Sequence, residues 1–131
     1  MTLILASTSP WRAEMLSNAG VEIECVNPAV DEEEMKRALR ADGVLARDQA
    51  DALAEMKARR ISARYPGVLV IGADQILDFK GEAFDKPADL AAARETLVRL
   101  RGERHELLSA AVIALDGAPI WRHIGRARLF M

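Results

Sequence analysis

The sequence predicts an α/β fold built on a mixed β-sheet. Strand-like and helix-like segments alternate over the first half of the chain, and two hairpin signals follow in the second half. The chain has 131 residues, 50% of them hydrophobic and 29% charged. That is the size of one domain with its own core, and the balance argues against disorder. The formal net charge is only −2. So even a charge excludes a nucleic-acid coat or a membrane-surface binder, and any anionic ligand must be held by a local site.

The elements follow in order. Residues 2–6 form a buried strand, then a helix runs over about 10–19, with Ser9 as its N-cap, Pro10 at its first position and Gly20 closing it. VEIECV (21–26) alternates as a second strand. The acidic run Asp31–Glu34 opens a polar helix to about Leu39, and after Gly43 a longer helix ends near Tyr65 and Pro66. GVLVIGA (67–73) is apolar on both faces, which predicts a central strand covered on both sides. QILDFKGEAF (75–84) forms a hairpin turning at Lys80–Gly81. A helix over about 88–100 carries Leu90, Ala93, Leu97 and Leu100 on one stripe. Residues 104–115 and 118–130 are two strands joined by Asp116–Gly117, a strong turn signal. The expected organisation is a single domain over 1–131 that stops inside the apolar run ARLFM, as if cut short.

Cys25 is the only cysteine, so no internal disulfide forms. The N-terminus lacks a basic n-region, and no run approaches the ~20 apolar residues of a membrane span. A cytoplasmic location is expected.

Several charged residues stand where the pattern favours apolar ones. At 100° per residue, Arg12 falls on the apolar face of the first helix, among Met15, Leu16 and Ala19. It either snorkels or forms a structural ion pair, or it binds an anion. Free N–H groups at that helix start, with the hydroxyls of Ser7, Thr8 and Ser9, make phosphate the fitting anion. Lys57 lies inside the arc of Ala46, Ala50, Leu53, Ala54 and Ile61, and either stretches past the core to water or has a function. Asp74 leaves an apolar strand. It is either a metal ligand or general base beyond the strand's carboxyl end, or a turn residue capping the next backbone. Pro87 holds Lys86 extended, so that lysine either reaches across a cleft or is solvated. The run Asp31–Glu34 complements a helix dipole, with one member turning toward a metal as the competing reading. His105, His123 and Cys25 lack spaced partners and read as structural.

Five segments in order resemble the motifs of the Maf family of nucleoside triphosphate pyrophosphatases. They are Ser7-Thr8-Ser9-Pro10-Trp11-Arg12, Pro28-Ala29-Val30-Asp31-Glu32, Leu53-Ala54-Glu55-Met56-Lys57-Ala58, Ile71-Gly72-Ala73-Asp74-Gln75 and Asp85-Lys86-Pro87. The resemblance covers most of the chain. It implies an elongated mixed sheet flanked by helices, Maf/ITPase-like, with an active-site cleft between lobes. It further implies that Ser7, Ser9 and Arg12 bind the triphosphate and that Lys57 and Lys86 add catalytic positive charge. Glu32 and Asp74 would hold a divalent cation, Mg²⁺ or Mn²⁺, with Asp74 also serving the attacking water. Trp11 stands where the family has the first Arg of a pair, a spelling similar to its 7-methyl-GTP branch. Asp85 replaces a glycine, Arg101-Gly102 stands for Ser-Gly, and the usual Thr-Gly of the late strand is absent. Family members continue for several tens of residues beyond Met131.

The activity implied by the resemblance is hydrolysis of nucleoside triphosphates, modified ones included, to the monophosphate and pyrophosphate, a house-cleaning role in the nucleotide pool. The competing expectation is a nucleotide-binding regulator without catalysis. The expected partner is a nucleoside triphosphate, with a homodimer left open and no membrane. Nucleic acid is disfavoured by the even charge and by 5% aromatic content.

Overall fold

The computed structural model describes residues 2–131. Leu3–Leu5 (β1) is followed by Pro10–Asn18 (α1), Ile23–Cys25 (β2), Glu32–Ala41 (α2) and Ala46–Ser62 (α3). Then come Val70–Phe79 (β3), Glu82–Phe84 (β4), Leu90–Leu100 (α4), Arg104–Leu115 (β5) and Ala118–Phe130 (β6). The sheet order is β2-β1-β3-β5-β6, with β4 also on β3. Its β1 pairings are parallel and the others antiparallel, so the sheet is mixed as the sequence predicts. Both hairpins turn through two residues at positive φ, Lys80–Gly81 (51° and 89°) and Asp116–Gly117 (51° and 80°), a twist that matches the flanking strands.

The core lies on one face of the sheet. Ala50, Leu53, Ala54 and Ala58 of α3 are fully buried against Ile76, Leu108, Ala110, Val112 and Ala114 of β3 and β5. The small residues of α3 let its backbone press onto Gly72. A Cβ built there would lie 2.7 Å from the Ala58 nitrogen and 2.9 Å from the Ala58 Cβ, and closer still to the Ala54 carbonyl. Lys57 sits between those two alanines, so this close approach delivers it to the sheet.

The pairing of β3 leaves a gap along one edge. One edge is continuously paired with β5, from Val70↔Ala114 to Asp78↔Glu106. On the other edge, Val70 and Ile71 pair with β1, while Leu77–Phe79 pair with β4. Residues 72–76 between them have no strand partner on that edge among the described residues, and Asp74 is at the centre of the gap.

The structure corrects four expectations. β3 is one ten-residue strand, where the sequence predicts a strand ending at 73 and a separate hairpin from 75. The β5 ladder runs through the polar pair: Asp74 opposes Ala110, and Gln75 opposes Ser109, whose Oγ accepts from Gln75 Nε2 at 2.9 Å. Asp74 is therefore not a turn residue. Second, only one face of β3 is covered: Ile71, Ala73 and Leu77 are half-buried on the other, and Gln75 is exposed. Third, α1 has no buried residue and Met15 is 65% exposed, so Arg12 does not point into a core. Fourth, of the α4 stripe only Leu100 is buried; Leu90 is 90% exposed. Periodicity reports which side of a helix is apolar, not whether an element lies against it.

Candidate active site

Four residues, Ala6–Ser9, three of them hydroxyl-bearing, join β1 to α1. Buried Ser7 ends the apolar strand, and its Oγ accepts from the Ser9 N–H at 3.0 Å and from Arg12 Nη1 at 3.4 Å. Ser9 caps α1, its Oγ accepting from the Arg12 N–H at 3.4 Å, and Pro10 begins the helix. Arg12 thus folds back over the helix start. No carboxylate lies within ion-pair distance of it among the described residues. A cation, hydroxyls and first-turn amides gathered at a helix N-terminus suit a phosphate.

The second part of the site lies in the β3 gap. The Lys57 ammonium, only 6% exposed, donates to Asp74 Oδ1 at 3.2 Å and to the Ala73 carbonyl at 3.4 Å, and also pairs with Glu32. This excludes a lysine stretched to water. Glu32 begins α2, while Asp31 caps it by accepting from the Glu34 N–H at 3.1 Å. One member of the acidic run, Glu32, therefore turns inward onto Lys57, while Glu33 and Glu34 stay exposed.

The two carboxylates have opposite electrostatics. Burial disfavours the Glu32 charge, but the hydrogen bond and charge of Lys57, helped by Lys36 and Arg12, more than offset it, and its pKa lies below the ordinary value. Burial pushes Asp74 above its ordinary value. The Lys57 charge and hydrogen bond pull the other way without prevailing, and the nearby Glu32 charge adds to the rise. Asp74 Oδ2 is buried with no hydrogen-bond partner.

That orphaned oxygen is the test of whether a hard divalent cation fits. Carboxylate oxygens are its preferred donors, and Asp74 and Glu32 supply them side by side. No cluster of three or more His, Cys, Asp or Glu exists among the described residues. A small cation that completes its shell with water and substrate phosphates, as Mg²⁺ does, is the kind this pair suits.

Of the residues singled out in the sequence, Glu32, Lys57 and Asp74 form one contact group, and Ser7, Ser9 and Arg12 a second within electrostatic range of Glu32. Lys86 is exposed and forms no ion pair among those described. Its neighbour Asp85 is held instead, by Arg40 at 3.0 and 2.9 Å and by Lys36 at 3.4 Å. Lys36, which the sequence reading did not single out, lies near enough for its charge to act on both Glu32 and Asp74. Its spacing of four residues from Glu32 on α2 is the signal that could have found it.

The α/β sheet thus carries amides, hydroxyls and an arginine suited to an anion at its first strand's end, and near them buried Asp74 joined through Lys57 to half-buried Glu32. The Maf-like protein family model matches residues 2–131, and the chain belongs to that family. It is 55% identical over 129 residues to the nucleoside triphosphate pyrophosphatase of Roseobacter denitrificans, covering 98% of this chain and 65% of the relative. It is 48% identical over 129 residues to the 7-methyl-GTP pyrophosphatase of Mesorhizobium japonicum, with 98% and 65% covered. The chain thus spans about 65% of the length of these curated relatives. A HAM1 protein from Coxiella burnetii shares the fold, with a TM-score of 0.59 at 17% identity over 98% of this chain and 71% of that one. No described helix is long and apolar enough to cross a membrane.

Proposed function

We propose that this protein hydrolyses nucleoside triphosphates to the monophosphate and pyrophosphate, clearing unwanted nucleotides from the pool. One observation carries the reading: buried Asp74, with a raised pKa and a free Oδ2, is held by Lys57 beside Glu32 within reach of the Ser7–Arg12 cradle. Ser7, Ser9, the first-turn amides of α1 and Arg12 bind the phosphate chain. Asp74 Oδ2 accepts a proton from the attacking water as its oxygen bonds to the α-phosphorus. The bond from that phosphorus to the α,β-bridging oxygen breaks, and pyrophosphate leaves with the electron pair. Lys57 and Lys86 stabilise the charge that gathers on it. A divalent cation, Mg²⁺ or Mn²⁺, held by Glu32 and Asp74 supplies neutralisation of phosphate charge when bound.

The test is a panel of nucleoside triphosphates incubated with the protein and Mg²⁺ or Mn²⁺, with monophosphate, pyrophosphate and orthophosphate measured separately. The panel includes 7-methyl-GTP, because Trp11 and one named relative raise that base. Monophosphate and pyrophosphate in equal amounts, abolished by chelator, are expected. Orthophosphate with a diphosphate product would refute the bond assignment. Nucleotide binding without turnover would identify a regulator instead.

A further inference from the structure

We infer that Asp85 is a positioning residue, which docks the Lys86 segment onto α2 and so holds Lys86 beside the β3 gap that contains Asp74. The inference rests on the pyrophosphatase reading above. β4 pairs with the last three residues of β3, and its antiparallel register carries the chain after Phe84 back toward Asp74. Asp85 is the first residue beyond β4 and Lys86 the second. That segment approaches the β3 gap from the side opposite Ser7 and Arg12.

Asp85 is tied to α2. Arg40 holds both carboxylate oxygens in a fork, at 3.0 and 2.9 Å, and Lys36 adds a third contact at 3.4 Å. Arg40 is in turn braced from α3, where Gln49 Oε1 accepts from its Nε at 3.3 Å. Buried Gln49 is fixed by donating to the Val44 carbonyl at 2.8 Å. Helix α2 also carries Glu32, one of the two carboxylates on Lys57. Through these contacts the Lys86 segment, Glu32 and α3 form one connected unit facing Asp74. A fork of two parallel hydrogen bonds fixes direction as well as distance, and holding a charged group in place lowers the ordering cost when phosphate binds. Lys86, which forms no ion pair among the described residues, owes its placement to its neighbour.

The experiment is a double-mutant cycle on the protein with Mg²⁺ and its best nucleoside triphosphate, using Asp85→Asn and Lys86→Met. Asparagine keeps the shape and removes the charge that Arg40 and Lys36 grip. Asp85→Asn is expected to lower kcat/KM about fivefold, mostly through kcat, because Lys86 acts on the charge that gathers on the leaving pyrophosphate. In the Lys86→Met background the same substitution should change kcat/KM little, and Asp85→Glu should keep most of the wild-type value. An equal fall in both backgrounds would overturn the proposal, because Asp85 would then act independently of Lys86. A lowered Tm with unchanged kcat/KM would overturn it as well, leaving a structural ion pair. If the wild-type protein turns over no nucleotide, the pyrophosphatase reading has failed, and amide hydrogen exchange decides the docking separately. Asp85→Asn should speed exchange at residues 85, 86 and 88, and unchanged exchange would refute the docking itself.

Discussion

Gly72→Ala offers a direct test of how the fold builds the site. Gly72 does not have a positive φ, so alanine meets no backbone strain there. Its methyl group would lie 2.7 Å from the Ala58 nitrogen, and α3 must retreat by about 0.7 Å to restore an ordinary 3.4 Å contact. The Ala54 carbonyl is nearer still, which takes the retreat toward 1 Å. Both obstacles are helix backbone and cannot rotate aside. The overpacking cost should therefore fall in the upper part of the usual range, about 2–3 kcal/mol, lowering Tm by roughly 8–12 °C for a chain of this size. Lys57 moves with the helix, away from Asp74 Oδ1 and the Ala73 carbonyl, and a displacement near 1 Å at a reacting centre costs about 100-fold in turnover. Gly125→Ala is the control, since its Cβ would meet only the Ser109 carbonyl at 3.9 Å. The assay pairs urea unfolding with pyrophosphate release for both variants. Wild-type stability and turnover in Gly72→Ala, or equal losses in the two, would refute the claim that α3 is pressed onto β3 to place Lys57.

Asp74→Asn should lower kcat by at least about 10³-fold, as expected for loss of a general base, without lowering Tm; wild-type turnover would remove Asp74 from the mechanism. Ser7→Ala should raise KM about tenfold with a smaller effect on kcat, because the hydroxyl joins the Ser9 N–H to Arg12; steady-state kinetics checks it. Asp78→Asn should stabilise the protein at pH 7 by about 0.5–1 kcal/mol in urea unfolding, because ionised Asp78 lies directly across the strand pair from Glu106. Burial first, and then that Glu106 charge, raise the Asp78 pKa in the folded state. The native protein therefore holds the proton more tightly, and stability is lost as pH rises from the unfolded value near 3.8 through the folded one. The gain in Asp78→Asn should accordingly vanish below that window, and a gain independent of pH would refute the charge explanation.

Much of this was legible in the sequence, and the failures have physical causes. Helix starts and hairpin turns are local, so Ser9, Pro10, Gly20, Lys80–Gly81 and Asp116–Gly117 stand where their chemistry predicts. Lys57 was legible because a lysine inside a buried arc must find a partner. Arg12 was singled out for a reason that the structure removes, since its helix face is not buried. What the structure shows instead is that it folds back onto Ser7. The β3 gap could not be read, because it comes from β1 and β4 claiming different stretches of one edge. Nor could the Asp85–Arg40 pair, whose partners are 45 residues apart.

Asp74 also explains why the site has to be held from several sides. Its carboxylate is buried beside a second carboxylate, and burial raises its pKa even with Lys57 in contact. In the ionised form that arrangement subtracts from stability, and nothing in the core requires it: Ala110, its cross-strand partner, would accept an apolar neighbour. A side chain kept against the interest of folding is best explained by what it binds. The surroundings agree with an anionic ligand. Arg12, Lys36 and Lys57 act on Glu32, and Lys36 and Lys57 on Asp74, on a chain whose net charge is −2. A phosphate chain entering there would meet cations held by a local site, as a chain of such even charge requires.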